Sequence, residues 1–347
     1  MQWWLLALVQ GQLPGERDLR EYGYTEYVKE FGKTATAESQ RAFERNMAAI
    51  RKHNKNPSKM YFMTVNKFTD LSAKDFKSTY LGGVPVDLYQ HSQQNYGANI
   101  QADVPKSFDW RKQQCGGHLG ACVSYVKDQG ACGSCWAFSA VETLESHYAI
   151  HLNTSAPILS TQQVTGCTPN PDQCGGTGGC DGNVQTLAFN YTARAGVTAE
   201  VAYPYKASST CNASKIKPCV RNTGFVHVKV NDYDAHMDAL VSQGPLSISL
   251  AATSMQFYGG GILDHCDCDQ DHAVQLVGYG SEAGHDYWLV RNSWGTVWGE
   301  EGYIRIKRFG AGKEPTCIDK TPQDGEACKG DHKERKYGVL PLQISTP

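Results

Sequence analysis

The sequence predicts an α+β chain in which a helical front segment precedes two further halves, one helical and one rich in strands. Three observations predict it. All 13 cysteines lie between Cys115 and Cys328, which sets residues 1–114 apart as a region of different composition. Apolar residues recur at three- and four-residue steps within 21–56 and again after Cys135, the period of a helix with one buried face. Beyond about residue 225 the pattern changes to short alternating runs, such as Phe225-Val-His-Val-Lys-Val230 and Leu246-Ser-Ile-Ser-Leu250, the period of strands. At 347 residues with 40% hydrophobic side chains the chain can bury more than one core. The net charge of −2, with no run of five like charges, gives no electrostatic case for nucleic acid or an acidic membrane as partner.

The elements follow in order. Met1-Gln-Trp-Trp-Leu-Leu-Ala-Leu-Val9 reads as a short signal peptide within residues 1–15, too short to span a membrane, and no other stretch approaches the length of a membrane span. Three sequons, at Asn153, Asn190 and Asn212, are compatible with secretory passage. Phe43, Met47, Ile50 and Asn54 place one or two amphipathic helices in 21–56, ended by Asn56-Pro57. Tyr61-Phe-Met-Thr-Val65 reads as a strand, and Leu71-Ser-Ala-Lys-Asp-Phe76 as the start of a helix capped by Ser72. The Gln/Asn/Ser-rich stretch from Leu81-Gly-Gly83 to Asp103 reads as an exposed, cleavable linker. Ala137, Val141, Leu144 and Tyr148 then form the face of a core helix beginning at Cys135. A turn-rich loop over 165–182 and a helical stretch from Val184 to Ala195 complete a helical half over about 123–225.

The stretch Gln129-Gly-Ala-Cys-Gly-Ser-Cys-Trp-Ala-Phe138 carries the strongest chemical signal. A helix N-terminus offers unpaired N–H groups that favour a thiolate, so Cys135 in the first turn is a candidate nucleophile. Spacing alone leaves a second reading open, with Cys132 and Cys135 as a CxxC metal or redox pair. A thiolate needs a proton partner. His272 opens an apolar strand-like run that ends at Gly280, and Tyr287-Trp-Leu-Val-Arg-Asn292 follows after a turn-type segment. A hairpin centred near residue 282 pairs positions that sum to about 564, which sets His272 beside Asn292. His272 then exchanges a proton with Cys135, and the Asn292 carbonyl orients its ring. The Gln129 side-chain NH₂ and the Cys135 backbone N–H supply an oxyanion hole.

These residues resemble the papain-like cysteine proteases, the papain and cathepsin L family. The likeness rests on Cys132-Gly-Ser-Cys-Trp136 with His272 and Asn292 lying 137 and 157 residues beyond Cys135. It extends through Phe108-Asp-Trp-Arg111, Cys180-Asp-Gly182, Ala202-Tyr-Pro-Tyr205, Asn292-Ser-Trp-Gly295 and Glu301-Gly-Tyr-Ile304. In the front segment, Phe43, Asn46, Ile50 and Asn54, followed by Asn66, Phe68 and Asp70, resemble the family's inhibitory propeptide, although Thr64, Ser39 and Ala35 depart from its motifs. The resemblance implies a two-lobe fold, a helical left lobe and a β-barrel-like right lobe over about 226–347, with Cys135 and His272 on opposite walls of a cleft. It implies a propeptide and linker over 16–103 and a mature peptidase over 104–347, beginning near Val104-Pro105. Acid favours release where carboxylates such as Asp70 are paired in the zymogen.

By the same resemblance Cys132 pairs with Cys180 and Cys167 with Cys211. An odd cysteine count fits one retained thiol and six bridges. Self-contained bridges 115–122 and 317–328 are expected for the insertions, while Leu340 stands at the family's usual last-bridge position and Cys266-Asp-Cys268 offers two candidates for one. That cluster, with His265 and Asp264, also offers a metal reading, and no metal or cofactor is expected. His118, His227, His236 and His285 read as surface or structural. The substrate-binding set implied is Gly182 and Asn183 along the substrate backbone, Val184, Ser249 and Ser345 around an apolar pocket, and Asp271 and Trp294 beside the histidine, with Trp294 shielding the His272–Asn292 bond. The expected protein is a monomeric cysteine endopeptidase made as a zymogen, acting on polypeptides, inhibited by its own propeptide, and located in the secretory pathway, in a lysosome-like acidic compartment or outside the cell. A catalytically silent binding or inhibitory relative, and an exopeptidase, are the alternatives.

Overall fold

A computed structural model describes residues 12–81, 95–96, 104–117, 120–228, 232–265, 269–310, 313, 316–319, 328–330, 335–338 and 344–346. The leader at 1–9, most of the linker, His118, Cys266-Asp-Cys268 and Leu340 lie outside them.

The front segment folds as helices α1 (Tyr24–Phe31) and α2 (Ala37–Asn54), strand β1 (Tyr61–Met63) and helix α3 (Ala73–Tyr80). Thr36 accepts from the Ser39 N–H at 3.0 Å and caps α2, while Ser72 accepts from Asp75 at 3.1 Å and caps α3. The α2 stripe of Phe43, Met47 and Ile50 is buried against Tyr27 and Val65, a small core of its own. Asp70 closes it, accepting from the Tyr27 hydroxyl at 2.8 Å and from Lys33 Nζ at 2.9 Å.

The next strands are β2 (Asn95–Tyr96) and β3 (Phe108–Asp109), and the helical half follows with α4 (Cys135–Leu152), α5 (Thr161–Cys167) and α6 (Gln185–Ala195). Strands β4 (Val197–Thr198) and β5 (Pro218–Val220) pair with each other. The β-rich half contains β6 (Val226–Val228), α7 (Tyr233–Ser242), β7 (Leu246–Leu250), β8 (Tyr258–Leu263), β9 (His272–Glu282), β10 (His285–Arg291), β11 (Tyr303–Lys307), β12 (Thr316–Asp319), β13 (Arg335–Gly338) and β14 (Ile344–Thr346). Its main sheet runs β1-β8-β11-β10-β9-β7-β14-β6-β2, with β3 beside β9; among the described residues the path does not close into a barrel. Both ends of the path are strands from before residue 104, so the front segment covers edges that would otherwise present unpaired N–H and C=O groups. At one edge, Phe62 of β1 lies over Gly260, where an added Cβ would come within 2.9 Å of its ring.

The β9–β10 hairpin corrects the expected register. Ala283 and Gly284 take φ of 50° and 83° and make a two-residue turn, so Glu282 pairs with His285 and Leu289 with Gly278. An irregularity between Leu289 and Val290 shifts the remainder, and Arg291 faces Gln275. Continued one step, this register sets Asn292 opposite Val274. His272 lies two residues along the same face, so it is reached on the diagonal.

Among the described residues the bridges are Cys115–Cys122, Cys132–Cys180, Cys167–Cys211 and Cys174–Cys328. The last overturns the expected 317–328 pair: Cys328 reaches the helical half instead.

Candidate active site

The thiol is positioned by a helix and its anchors. Cys135 is the first residue of α4, after Ser134 as N-cap, where backbone N–H groups lack intrahelical acceptors. The turn before it is held by the Cys132–Cys180 bridge, by the Gly133 N–H donating to Cys180 O at 2.9 Å, and by Trp136 Nε1 donating to Gly179 O at 3.1 Å. Because Cys132 is bonded to Cys180 while Cys135 lies outside any bridge, the CxxC metal or redox reading falls away. One turn further, Ser139 Oγ donates to Val274 O at 2.6 Å and lies 2.6 Å from Ser247 Oγ. Ser139 shares a face with Cys135, and Val274 with His272, so this contact registers α4, which Cys135 opens, on β9, which His272 opens.

His272 begins β9, where it pairs with Leu250 of β7. Its Nε2 meets Asn292 Oδ1 at 2.8 Å, and the amide oxygen, being an acceptor, assigns the proton to Nε2. Its Nδ1 is buried and without a partner among the described residues. The ring stacks on Trp294 with centroids 4.7 Å apart. Burial pushes the imidazole down to about 4, and the Asn292 bond acts in the opposite direction.

Gln129 is fixed on both ends of its amide. Ser293 Oγ donates to its Oε1 at 2.6 Å, and its Nε2 donates to Cys132 O at 2.8 Å and to Tyr80 O at 2.9 Å. Tyr205 donates its hydroxyl to Gln129 O at 2.8 Å and lies 2.6 Å from Ser134 Oγ. The Tyr80 carbonyl comes from the end of α3, so the front segment reaches the centre of the site. Phe68 and Phe76 pack edge-on to Trp294, each at 5.3 Å. Lys77 lies 3.8 Å from Asp269 and 4.0 Å from Asp271, and Lys67 is paired with Asp128 at 2.6 Å.

Comparison with known proteins gives the family of the chain. Residues 104–321 match the papain family cysteine protease model, and residues 24–76 match the cathepsin propeptide inhibitor domain. The chain belongs to the papain family of cysteine proteases. It is 38% identical over 287 residues to Vignain of Phaseolus vulgaris, covering 79% of this chain and 75% of that protein. It is 35% identical over 286 residues to Cathepsin L of Sarcophaga peregrina, covering 77% and 80%. Digestive procathepsin L 3 of Tenebrio molitor larval midgut superposes with a TM-score of 0.73 at 29% identity, over 94% of this chain and all of that one. This papain-family protease therefore carries its own inhibitor domain, which lies on Trp294 through Phe68 and Phe76, and Tyr80, four residues beyond the match, lies on Gln129.

The remaining expected residues lie around this centre. Asn183 is buried, with Oδ1 accepting from Val184 N at 2.8 Å, and Gly182 takes a φ of 91° that suits glycine. Val184 is the N-cap of α6, and Gln185 Nε2 donates to Ser249 Oγ at 3.1 Å. Ser345 pairs through its backbone with Ser247 on β7. Asp271 accepts from Ala252 N at 2.9 Å and from Thr253 Oγ1 at 3.2 Å; burial pushes it up to about 7 against these bonds and Lys77.

Ser139, Ser293 and Tyr205 were not singled out from the sequence. Ser293 and Tyr205 do stand inside the quoted motifs, as polar residues among apolar ones. Beneath the site, Arg291 is paired with Glu142 at 3.1 Å and Lys127 with Glu145 at 2.6 Å, all four of them buried. Their signal in the sequence was the pair of glutamates on an otherwise apolar helix.

Proposed function

We propose that the chain is the zymogen of a cysteine endopeptidase in which Cys135 is the nucleophile, His272 the acid and base, Asn292 the residue that orients His272, and Gln129 an oxyanion donor. One observation carries the reading. The Gln129 Nε2 donor is bonded to a peptide carbonyl, Tyr80 O, which is the group whose oxygen takes up negative charge during peptide hydrolysis.

In the reaction His272 takes the Cys135 thiol proton as the sulfur attacks the substrate carbonyl, and the oxyanion is held by Gln129 and the Cys135 N–H. The C–N bond breaks as His272 gives its proton to the leaving amine, leaving an acyl thioester. Water then attacks the thioester, His272 takes its proton, and the acid leaves as the thiol is restored. The Asn292 bond occupies Nε2 and leaves Nδ1 for proton exchange with the thiol. In the zymogen the fully buried imidazole resists protonation, which disfavours the thiolate–imidazolium pair until the propeptide leaves. Gly182 and Asn183 hold the substrate backbone, and Val184, Ser249 and Ser345 surround the second residue before the scissile bond.

The propeptide ends before a mature chain that begins near Val104. Four bridges among the described residues fit folding in an oxidising compartment, and hence the secretory pathway. The test is Cys135→Ser: peptidase activity is abolished with the circular dichroism spectrum unchanged, and retained turnover overturns the assignment.

A further inference from the structure

A covalent link joins the two halves of the protease beside the proposed cleft. Cys174, in the loop after α5, is bonded to Cys328, in the segment between β12 and β13. The Lys329 N–H donates to Asp172 O at 3.1 Å, so a backbone bond stands beside the disulfide. The receiving loop is itself rigid, bounded by the Cys167–Cys211 and Cys132–Cys180 bridges. Inside it, Asn170 Oδ1 accepts from Cys174 N at 2.8 Å and Asn170 Nδ2 donates to Cys174 O at 2.9 Å. Cys174 and Val184 form one buried apolar cluster, with Leu187 and Cys328 packed against it. The link from the β-rich half thus ends on the residue assigned above to the wall of the substrate pocket.

We propose that the Cys174–Cys328 bridge is a specificity element: it braces Val184 and, with Leu187, narrows the pocket for the second residue before the scissile bond. The proposal rests on the catalytic reading given above. Packed apolar groups yield little, and a wall cross-linked to the opposite half cannot swing outward. A bulky side chain enters only by displacing these groups, whereas a small one fits as the wall stands. The bridge touches no reacting atom, so it acts through Val184 as a positioning element. Its effect therefore falls on KM and on the choice between substrates, with kcat for a small residue preserved.

The test compares acid-activated wild type with the Cys174→Ala/Cys328→Ala double variant and with Leu187→Ala. Each is assayed on two peptides that differ only in Val or Phe at that position. The Phe-to-Val ratio of kcat/KM is expected to rise at least fivefold in both variants, mainly through KM, with kcat on the Val peptide within twofold of wild type in the double cysteine variant. Leu187→Ala keeps both cysteines, so it decides the matter if the double variant fails to fold. A ratio within twofold of wild type overturns the proposal, as does mass spectrometric mapping that finds Cys174 and Cys328 unlinked. A thiol-directed epoxide, used to count reactive Cys135 in each preparation, separates the two readings. An unchanged ratio in enzyme whose Cys135 reacts sinks the bracing role alone; an unreactive Cys135 in the wild type sinks the catalytic reading and this proposal with it.

Discussion

Phe76→Ala loosens the propeptide where it lies over the candidate histidine. Phe76 is fully buried and edge-on to Trp294, and Trp294 stacks on His272. Truncating a fully buried phenylalanine costs about 3–5 kcal/mol. All of that cost falls on the closed state, because the ring is exposed once α3 leaves. At the lower figure, with each ~1.4 kcal/mol worth a factor of ten, the open fraction rises about 100-fold. The assay is the rate at which a thiol-directed epoxide labels Cys135 in intact zymogen at neutral pH, where the rate follows the open population. Wild type labels slowly, and Phe76→Ala labels about 100 times faster while the mature enzymes label alike. A zymogen rate within threefold of wild type would refute the claim that this aromatic contact keeps the site covered.

Asp70→Asn keeps the shape of the group that closes the propeptide core but removes the charge facing Lys33, and hydrogen bonds to charged groups are worth about 1.5–3 kcal/mol. The variant is expected to process faster at neutral pH, read by the appearance of mature chain on a gel. Gln129→Ala removes one oxyanion donor and should lower kcat by about 10²–10³ with KM little changed, measured on a fluorogenic peptide. Glu142 is pushed by burial up to about 7, against the attraction of Arg291, so the fold binds a proton there that the unfolded chain has lost above its ordinary range near 4.5. This group's contribution to stability is therefore present in acid and lost as pH rises through 7. Glu142→Gln should flatten the decline in denaturant midpoint between pH 5 and 8; an undiminished slope would count against a proton held by buried Glu142.

Local pattern made much of the molecule legible. The stripe of Phe43, Met47 and Ile50, the Ser72 cap, the alternation in β7 and the Cys135 helix all depend on residues close in the chain, and each has its element at the expected place. What depends on distant pairing was harder. The hairpin register missed because Ser281 to Asp286 was treated as one turn, whereas Ala283 and Gly284 reverse the chain by themselves and extend both strands. Cys328 reaches Cys174 across 154 residues, a pairing that spacing cannot reveal. The addition of β1 beside β8 is likewise non-local, although the run Gly259-Gly-Gly261, which admits Phe62, was its visible trace. Within the candidate site, His272, Asn292 and Gln129 were found through the jobs the chemistry needs filled. Ser139 and Ser293 were not, because they act on other groups: their roles appear only once α4 is seated on β9.

The central claim is that Cys135 is the reacting atom's residue, and one measurement addresses it directly. Acid-activated enzyme is titrated with a thiol-directed epoxide while residual peptidase activity is followed, and the labelled residue is identified by mass spectrometry of its peptides. Activity is expected to fall in a straight line to zero at one label per chain, with the label on Cys135. Label on the exposed Cys219 with activity lost, or activity surviving full modification of Cys135, would contradict that claim.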